Sequence, residues 1–216
     1  MDASHSAPID ERLQDERFGK ATGGKVGMWI FIAQDGMAFG GLLLAYALLR
    51  IFSADWPVPA DILGIGLTAT ATFILICSSV TMVMAVDASQ HSQKGRTAFW
   101  LSGTILGGLL FLGIQVYEYT HLSHAGITLA TSSFEFTEGV VTNVNDLFGS
   151  TFYVVTGFHG MHVTAGVIYL ICILIGTLKG KYTKGGNSAS PVELVGLFWH
   201  FVDLVWILVF TFIYLL

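Results

Sequence analysis

Charge is what this sequence has least of: Asp, Glu, Lys and Arg make up 12% of its 216 residues, where a soluble domain carries about 25%. A water-soluble globular enzyme does not fit that composition. Ten basic residues stand against fifteen acidic ones, for a net charge of -5, so no basic surplus exists to neutralise phosphates and a nucleic-acid partner is excluded. Cysteine is nearly absent. Cys77 and Cys172 both lie inside apolar runs and read as small buried residues, with no disulfide or metal framework and no hint of redox compartment. There are four prolines and no Ser/Pro-rich or Gly/Ser-rich tract, which argues against disordered linkers beyond the N-terminal tail.

What the chain has in excess is apolar length, with 53% hydrophobic residues and a mean hydropathy of +0.68. Hydrocarbon about 30 Å thick needs roughly 20 apolar residues at 1.5 Å per residue. Five stretches meet that requirement: 26–49, 62–86, 98–119, 151–178 and 192–216. The expected fold is therefore an all-α polytopic membrane protein, a bundle of five transmembrane helices in one domain at 26–216, after a polar tail at 1–25. That tail has no separate apolar core before a small-residue cleavage site, so no cleaved signal peptide is expected.

Arg12, Arg17, Lys20, Lys25, Lys94, Arg96, Lys179, Lys181 and Lys184 fall on one side of that layout, and Arg50 alone falls on the other. The positive-inside rule then puts the N-terminus in the cytoplasm and the C-terminus in the periplasm of a bacterial-type inner membrane. Asp61 is placed to cap the second helix. Ser190, Pro191 and Glu193 form a capping box at the start of the fifth. The outer loop 120–150 carries Glu135, Glu138 and Asp146 with no Lys or Arg, and is expected to pack over the periplasmic face.

An ionisable side chain inside a bilayer costs a few kcal/mol or more unless it faces protein or water, so the polar residues within the runs carry the functional information. Asp35 sits at mid-depth in GMWIFIAQDGMAFGG, beside Gln34 and among Gly36, Gly40 and Gly41. It reads either as a proton-transfer carboxylate or as a hydrogen-bonded Asp facing a partner helix across the close approach that glycines allow. Gln115, Glu118 and His121 are three apart and share a face at the end of the third stretch. His159 and His162 recur at the same spacing near the start of the fourth, at matching depth, so a contact between Glu118 and these histidines is expected.

A metal site would want three or more converging ligands, and a haem would want a His on each face; a hydrogen-bonded cluster that holds helices together needs nothing more. In the fifth stretch His200 and Asp203 are three apart, an arrangement that could fix a histidine tautomer for a metal or simply form a structural pair. Trp199, Trp206 and Phe210 form an aromatic stripe suited to packing or acyl-chain contact. Glu193 reads as a cap or as a contact to a lipid headgroup or partner subunit. No Ser, Cys or further carboxylate stands in register for nucleophilic catalysis, so no catalytic residue and no metal ligand is assigned.

Taken together, GMWIFIAQDGMAFGG, QVYEY, FGSTFYVVTGFHGMHVTAG and WHFVDLVWILVFTFIYLL resemble subunit III of the haem–copper terminal oxidases, over about residues 26–216. The resemblance implies an accessory subunit without haem or metal of its own. It would flank subunit I, work beside subunit II, and leave the haems and copper to those partners. It further implies that the family's buried histidines fall on His159 and His162, its helix-end glutamate on Glu118, its terminal pair on His200 and Asp203, and its upstream glutamate on Glu193. The family's carbodiimide-reactive Glu falls on Asp35, one methylene shorter, as in some quinol-oxidase members. Many relatives have seven helices and hold structural phospholipid in a cleft; this chain resembles the five-helix form, so bound phospholipid is expected. Support of proton uptake, protection of subunit I during turnover and guidance of oxygen through lipid are the roles implied. The resemblance favours the cytochrome c oxidase branch, with subunit III of a quinol oxidase or nitric-oxide-reductase complex as the near alternative. From other classes, a haem-binding redox subunit using His159, His162 and His200 and a small proton-coupled carrier using Asp35, Glu118 and Asp203 compete with it. The carrier lacks an inverted repeat.

Overall fold

The computed structural model describes residues 23–53, 56–129, 133–135, 141–143, 146–180 and 191–216. Five helices in it are long and apolar enough to cross a membrane. They are α1 (Gly23–Phe52), α3 (Ile65–Gln90), α4 (Lys94–His124), α5 (Asp146–Leu178) and α6 (Pro191–Val209), the last continued by a π-helical turn, Phe210–Leu215. A single-turn helix α2 (Pro59–Ile62) precedes α3. Between α4 and α5 a short antiparallel hairpin pairs β1 (Ser133–Glu135) with β2 (Val141–Asn143), Phe134 opposite Thr142.

α1 and α4 extend past the apolar runs that announced them at both ends, α5 at its start and α3 at its end. The start of α3 is a correction. Its N-cap is Gly64, with no side-chain cap bond, and Asp61 falls within α2 instead. Pro59 opens α2 at a first-turn position, where its missing N–H costs nothing, and the break at Leu63 and Gly64 starts a new helix. Of the capping box at 190–193, Pro191 does open α6; Ser190 lies outside the described residues, as do Glu138 and most of the N-terminal tail.

With lipid outside and protein inside both apolar, hydrophobicity alone cannot sort the faces of these helices; residue size and hydroxyls do. The buried face of α3 is Thr68, Ala71, Thr72, Leu75, Ser78, Met82, Ala85 and Ala88, while Phe73, Ile76, Val80 and Val83 face outward. α3 and α4 form a tight antiparallel hairpin through a turn in which Ser92 takes φ 57°. Thr81 and Thr104 hydroxyls meet across it at 2.8 Å. Gly107 lies so close to α3 that an added Cβ would stand 2.6 Å from Ser78 Cβ. On the other side of α4, Gly108 receives the edge of Trp199 from α6. Ile127, wholly buried in the outer loop, is anchored by the Tyr153 hydroxyl, which donates to its carbonyl at 3.0 Å.

The five spans alternate in direction. Lys25 at the start of α1 pairs with Glu193 at the start of α6, N–O 2.9 Å, and Arg50 at the far end of α1 donates to the carbonyl of Leu216. The helix starts of α1, α4 and α6 thus share one end of the bundle. α1 is the outlying helix: it buries only Asp35, Phe39, Leu43 and Tyr46.

Candidate functional site

The buried polar side chains form a seam through the bundle rather than one convergent site. Where α1 meets α5, Asp35 is 8% exposed and His162 9%. His162 Nδ1 stands 2.7 Å from the Phe158 carbonyl. A carbonyl can only accept, so Nδ1 carries a proton. His162 Nε2 then stands 3.1 Å from Asp35 Oδ2, at ion-pair distance though off hydrogen-bond alignment. Phe39 covers the pair, its ring 5.3 Å from His162 and 4.9 Å from Phe158. Within this chain Asp35 faces α5, but its glycines do not make the close approach expected of them. Gly40 and Gly41 face open space, and only Gly36 has a neighbour, Phe201 of α6.

Glu118, 7% exposed, is held by two hydroxyls. Thr68 donates to Oε1 at 3.0 Å and Tyr214 to Oε2 at 2.8 Å. This corrects the expected contact with His159 and His162: the carboxylate looks across to α3 and to the π-helical turn after α6. Its neighbour Gln115 uses its amide N–H groups on the Thr156 carbonyl, 2.9 Å, and the Tyr119 hydroxyl, 3.2 Å. The Tyr119 hydroxyl also meets Thr156 Oγ1 at 2.6 Å. Gly160 lets that amide lie against α5, since a Cβ there would come within 2.9 Å of Gln115 Oε1. His121, expected on the same face, is exposed because successive steps of three residues drift around a helix of 3.6 per turn.

His159 is fully buried with no hydrogen-bond partner at either ring nitrogen. It is enclosed by aromatic rings, 4.8 Å from Trp206, 5.8 Å from Phe111 and 6.2 Å from Phe39. Trp206 Nε1 donates to Thr72 at 2.9 Å and Trp199 Nε1 to Ser78 at 3.2 Å. Both tryptophans are 1% exposed, so neither can be the lipid or partner contact expected of the aromatic stripe; they pin α6 to α3. Gly108 and Gly166 open space for the Trp199 ring.

His200 and Asp203 are joined through a third residue. His200 Nδ1 meets Ser79 Oγ at 2.6 Å, Ser79 also lies beside Asp203, and Asp203 Oδ1 is buried without a partner. Among the described residues no three His, Cys, Asp or Glu side chains come together in a way that could hold a metal ion. The residues that sequence reading missed are the hydroxyl partners Thr68, Thr72, Ser78, Ser79, Thr156 and Tyr214. A signal existed, since the hydroxyl residues Thr68, Thr72 and Ser79 recur at helical spacing within an apolar run.

Residues 15–216 match the family model of cytochrome c oxidase subunit III. Among similar proteins, the cytochrome c oxidase subunit 3 of Corynebacterium diphtheriae is 36% identical over 192 residues, 88% of this chain and 86% of that one. The cytochrome c oxidase subunit 3 of Bacillus subtilis is 31% identical, covering 88% of this chain and 85% of its own. The probable quinol oxidase subunit 3 of Staphylococcus saprophyticus is 28% identical over 96% of both chains.

Proposed function

This chain belongs to the cytochrome c oxidase subunit III family, and from that premise we propose that it is the non-catalytic accessory subunit of a haem–copper oxidase, flanking subunit I with subunit II nearby. One observation carries the accessory reading: the Glu118 carboxylate and the Trp199 and Trp206 indoles are spent on other elements of the same chain. Glu118 is bonded by Thr68 and Tyr214, and Trp199 and Trp206 by Ser78 and Thr72. Such pairing stitches a bundle together and leaves haem and copper chemistry to the partner subunits. The N-terminus faces the cytoplasm and the C-terminus the periplasm, on the charge asymmetry of the sequence. Structural phospholipid binds the bundle, and Glu193 stays a candidate for lipid or partner contact alongside its ion pair with Lys25.

Cytochrome c is the electron donor on this reading, since the relatives at 36% and 31% identity are named cytochrome c oxidase subunits. A quinol donor is favoured by one observation, the quinol-oxidase relative that matches 96% of the chain. The test is purification through a tag on this chain, followed by oxygen consumption. A haem-bearing subunit that co-elutes and turns over with reduced cytochrome c supports the reading. Turnover with quinol alone moves the chain to the other branch, and elution without a haem-bearing partner defeats the proposal.

A further inference from the structure

Hydroxyls that face outward from the spans satisfy themselves. Thr70, Ser102 and Thr164 each donate to a carbonyl four residues back, at 2.9, 2.8 and 2.8 Å. Gln34 does not. It is exposed on α1, and among the described residues its carboxamide has no hydrogen-bond partner, which leaves two N–H donors and a carbonyl oxygen unpaired. Nine residues separate it from Lys25 and sixteen from Arg50, about 14 and 24 Å along the helix. The amide therefore lies inside hydrocarbon about 30 Å thick and is too short to reach water at either end. A carboxamide left bare in hydrocarbon is costly, and a hydrogen-bonding group opposite it removes that cost.

The face around Gln34 is shaped for another helix. Phe31, Gln34, Ala38, Gly41, Ala45 and Leu48 follow in steps of three and four, and every one is exposed. That spacing is the seam along which two helices pack. Its middle is small: a Cβ on Gly41 would have nothing within 4 Å, and the alanines on either side let a second backbone come close. The other side of α1 turns Asp35, Phe39, Leu43 and Tyr46 into this chain's own bundle. Beside the seam a groove of about 160 Å³ runs between α1 and α5, lined by Ala45 and Tyr46 on one side and Thr151, Val154 and Val155 on the other. A space of that size holds an aromatic ring.

The groove decides between occupants. A second copy packed symmetrically along the seam would bring Ala38, Gly41 and Ala45 against their own equivalents, small against small, and leave the groove unfilled. A different helix with a large side chain at the level of Ala45 fills it. We propose that this face of α1 docks one transmembrane helix of another subunit. That helix meets Gln34 with an amide or hydroxyl side chain that both donates and accepts, and about three turns away it sets a large apolar side chain into the α1–α5 groove. The docking face rests on the accessory-subunit reading above.

The experiment uses the complex in its membrane with a benzophenone amino acid in place of Ala38, irradiated and analysed by mass spectrometry. The expected product joins this chain to a spanning segment of another subunit. Adducts to lipid alone, to residues of this chain or to a second copy overturn the proposal. Gln34→Leu and Gly41→Leu are then carried through tag purification in rising detergent. Gln34→Leu should lower retention of the captured subunit about threefold, the size of one interhelical hydrogen bond, and Gly41→Leu should lower it further by holding the helices apart. Thermal unfolding of the separated chain should be unchanged in both. Wild-type retention in either variant, or a fall matched by lower stability of the separated chain, overturns the docking face and leaves the accessory reading standing. Absence of any haem-bearing subunit from the wild-type preparation defeats both.

Discussion

Gly108 has no room for a methyl group. A Cβ there would stand 2.6 Å from Trp199 Cη2 and 2.8 Å from Val167 Cγ2, so Gly108→Ala must push a bonded indole and cost about 1–3 kcal/mol. Gly113, one and a half turns along the same helix, has nothing within 4 Å. Thermal unfolding of the purified complex should therefore begin several degrees lower for Gly108→Ala and stay unchanged for Gly113→Ala. Glu118 makes a second prediction at this scale. Glu118→Leu strands the buried Tyr214 hydroxyl, at about 1–3 kcal/mol for an unpaired group, and leaves the Thr68 hydroxyl with the Gly64 carbonyl at 3.3 Å, whereas Tyr214→Phe leaves the carboxylate with Thr68. The double variant should be less damaging than the sum of the two, because the second change removes a group the first has already orphaned. Strict additivity in a double-mutant cycle would show that the 2.8 Å contact between Tyr214 and Glu118 contributes nothing.

At the scale of elements, α1 is fastened at few points. Lys25 pairs with Glu193 at one end, Asp35 with His162 in the middle, and Arg50 bonds Leu216 at the other, while the side chains it buries are Asp35, Phe39, Leu43 and Tyr46. α3 and α4, by contrast, interlock along their length through Gly103, Gly107, Thr81 and Thr104. Opening free energies follow such differences in packing. Amide hydrogen exchange of the chain separated from its partners should therefore label α1 first and the α3–α4 core last; uniform protection would contradict the fastening described here. The positions of the elements were legible in the sequence because a spanning helix declares itself by apolar length. Their ends were less so: the helix start at Ile65 rather than 62 depended on Pro59 and Gly64, a local break inside an apolar run. The hairpin Ser133–Glu135 with Val141–Asn143 was unreadable because three-residue strands leave no periodicity.

For the whole molecule, the polar residues stood out by type, but their partners did not. Asp35, Glu118, His159, His162, His200 and Asp203 were each visible as exceptions in lipid. The contact of Glu118 with Tyr214 instead of a histidine could not be read, since it depends on the rotation of α4 and on the π-helical turn that carries Tyr214 inward. The Asp35–His162 pair is where the bundle could bear on function. Asp35→Asn keeps the side-chain shape and removes the ionisable carboxyl, so the complex should assemble with its haems while turnover sustained over many cycles falls. Unchanged turnover in an intact complex would remove Asp35 from the mechanism.

On the accessory-subunit reading proposed above, the redox chemistry lies in the partners and this chain supports it. The most direct test is a reduced-minus-oxidised absorption spectrum of this chain after separation from every co-purifying subunit. No haem bands are expected in the separated chain, with full haem absorption in the fraction holding the larger subunit. Haem bands stoichiometric with this chain would contradict it and make ligands of its histidines.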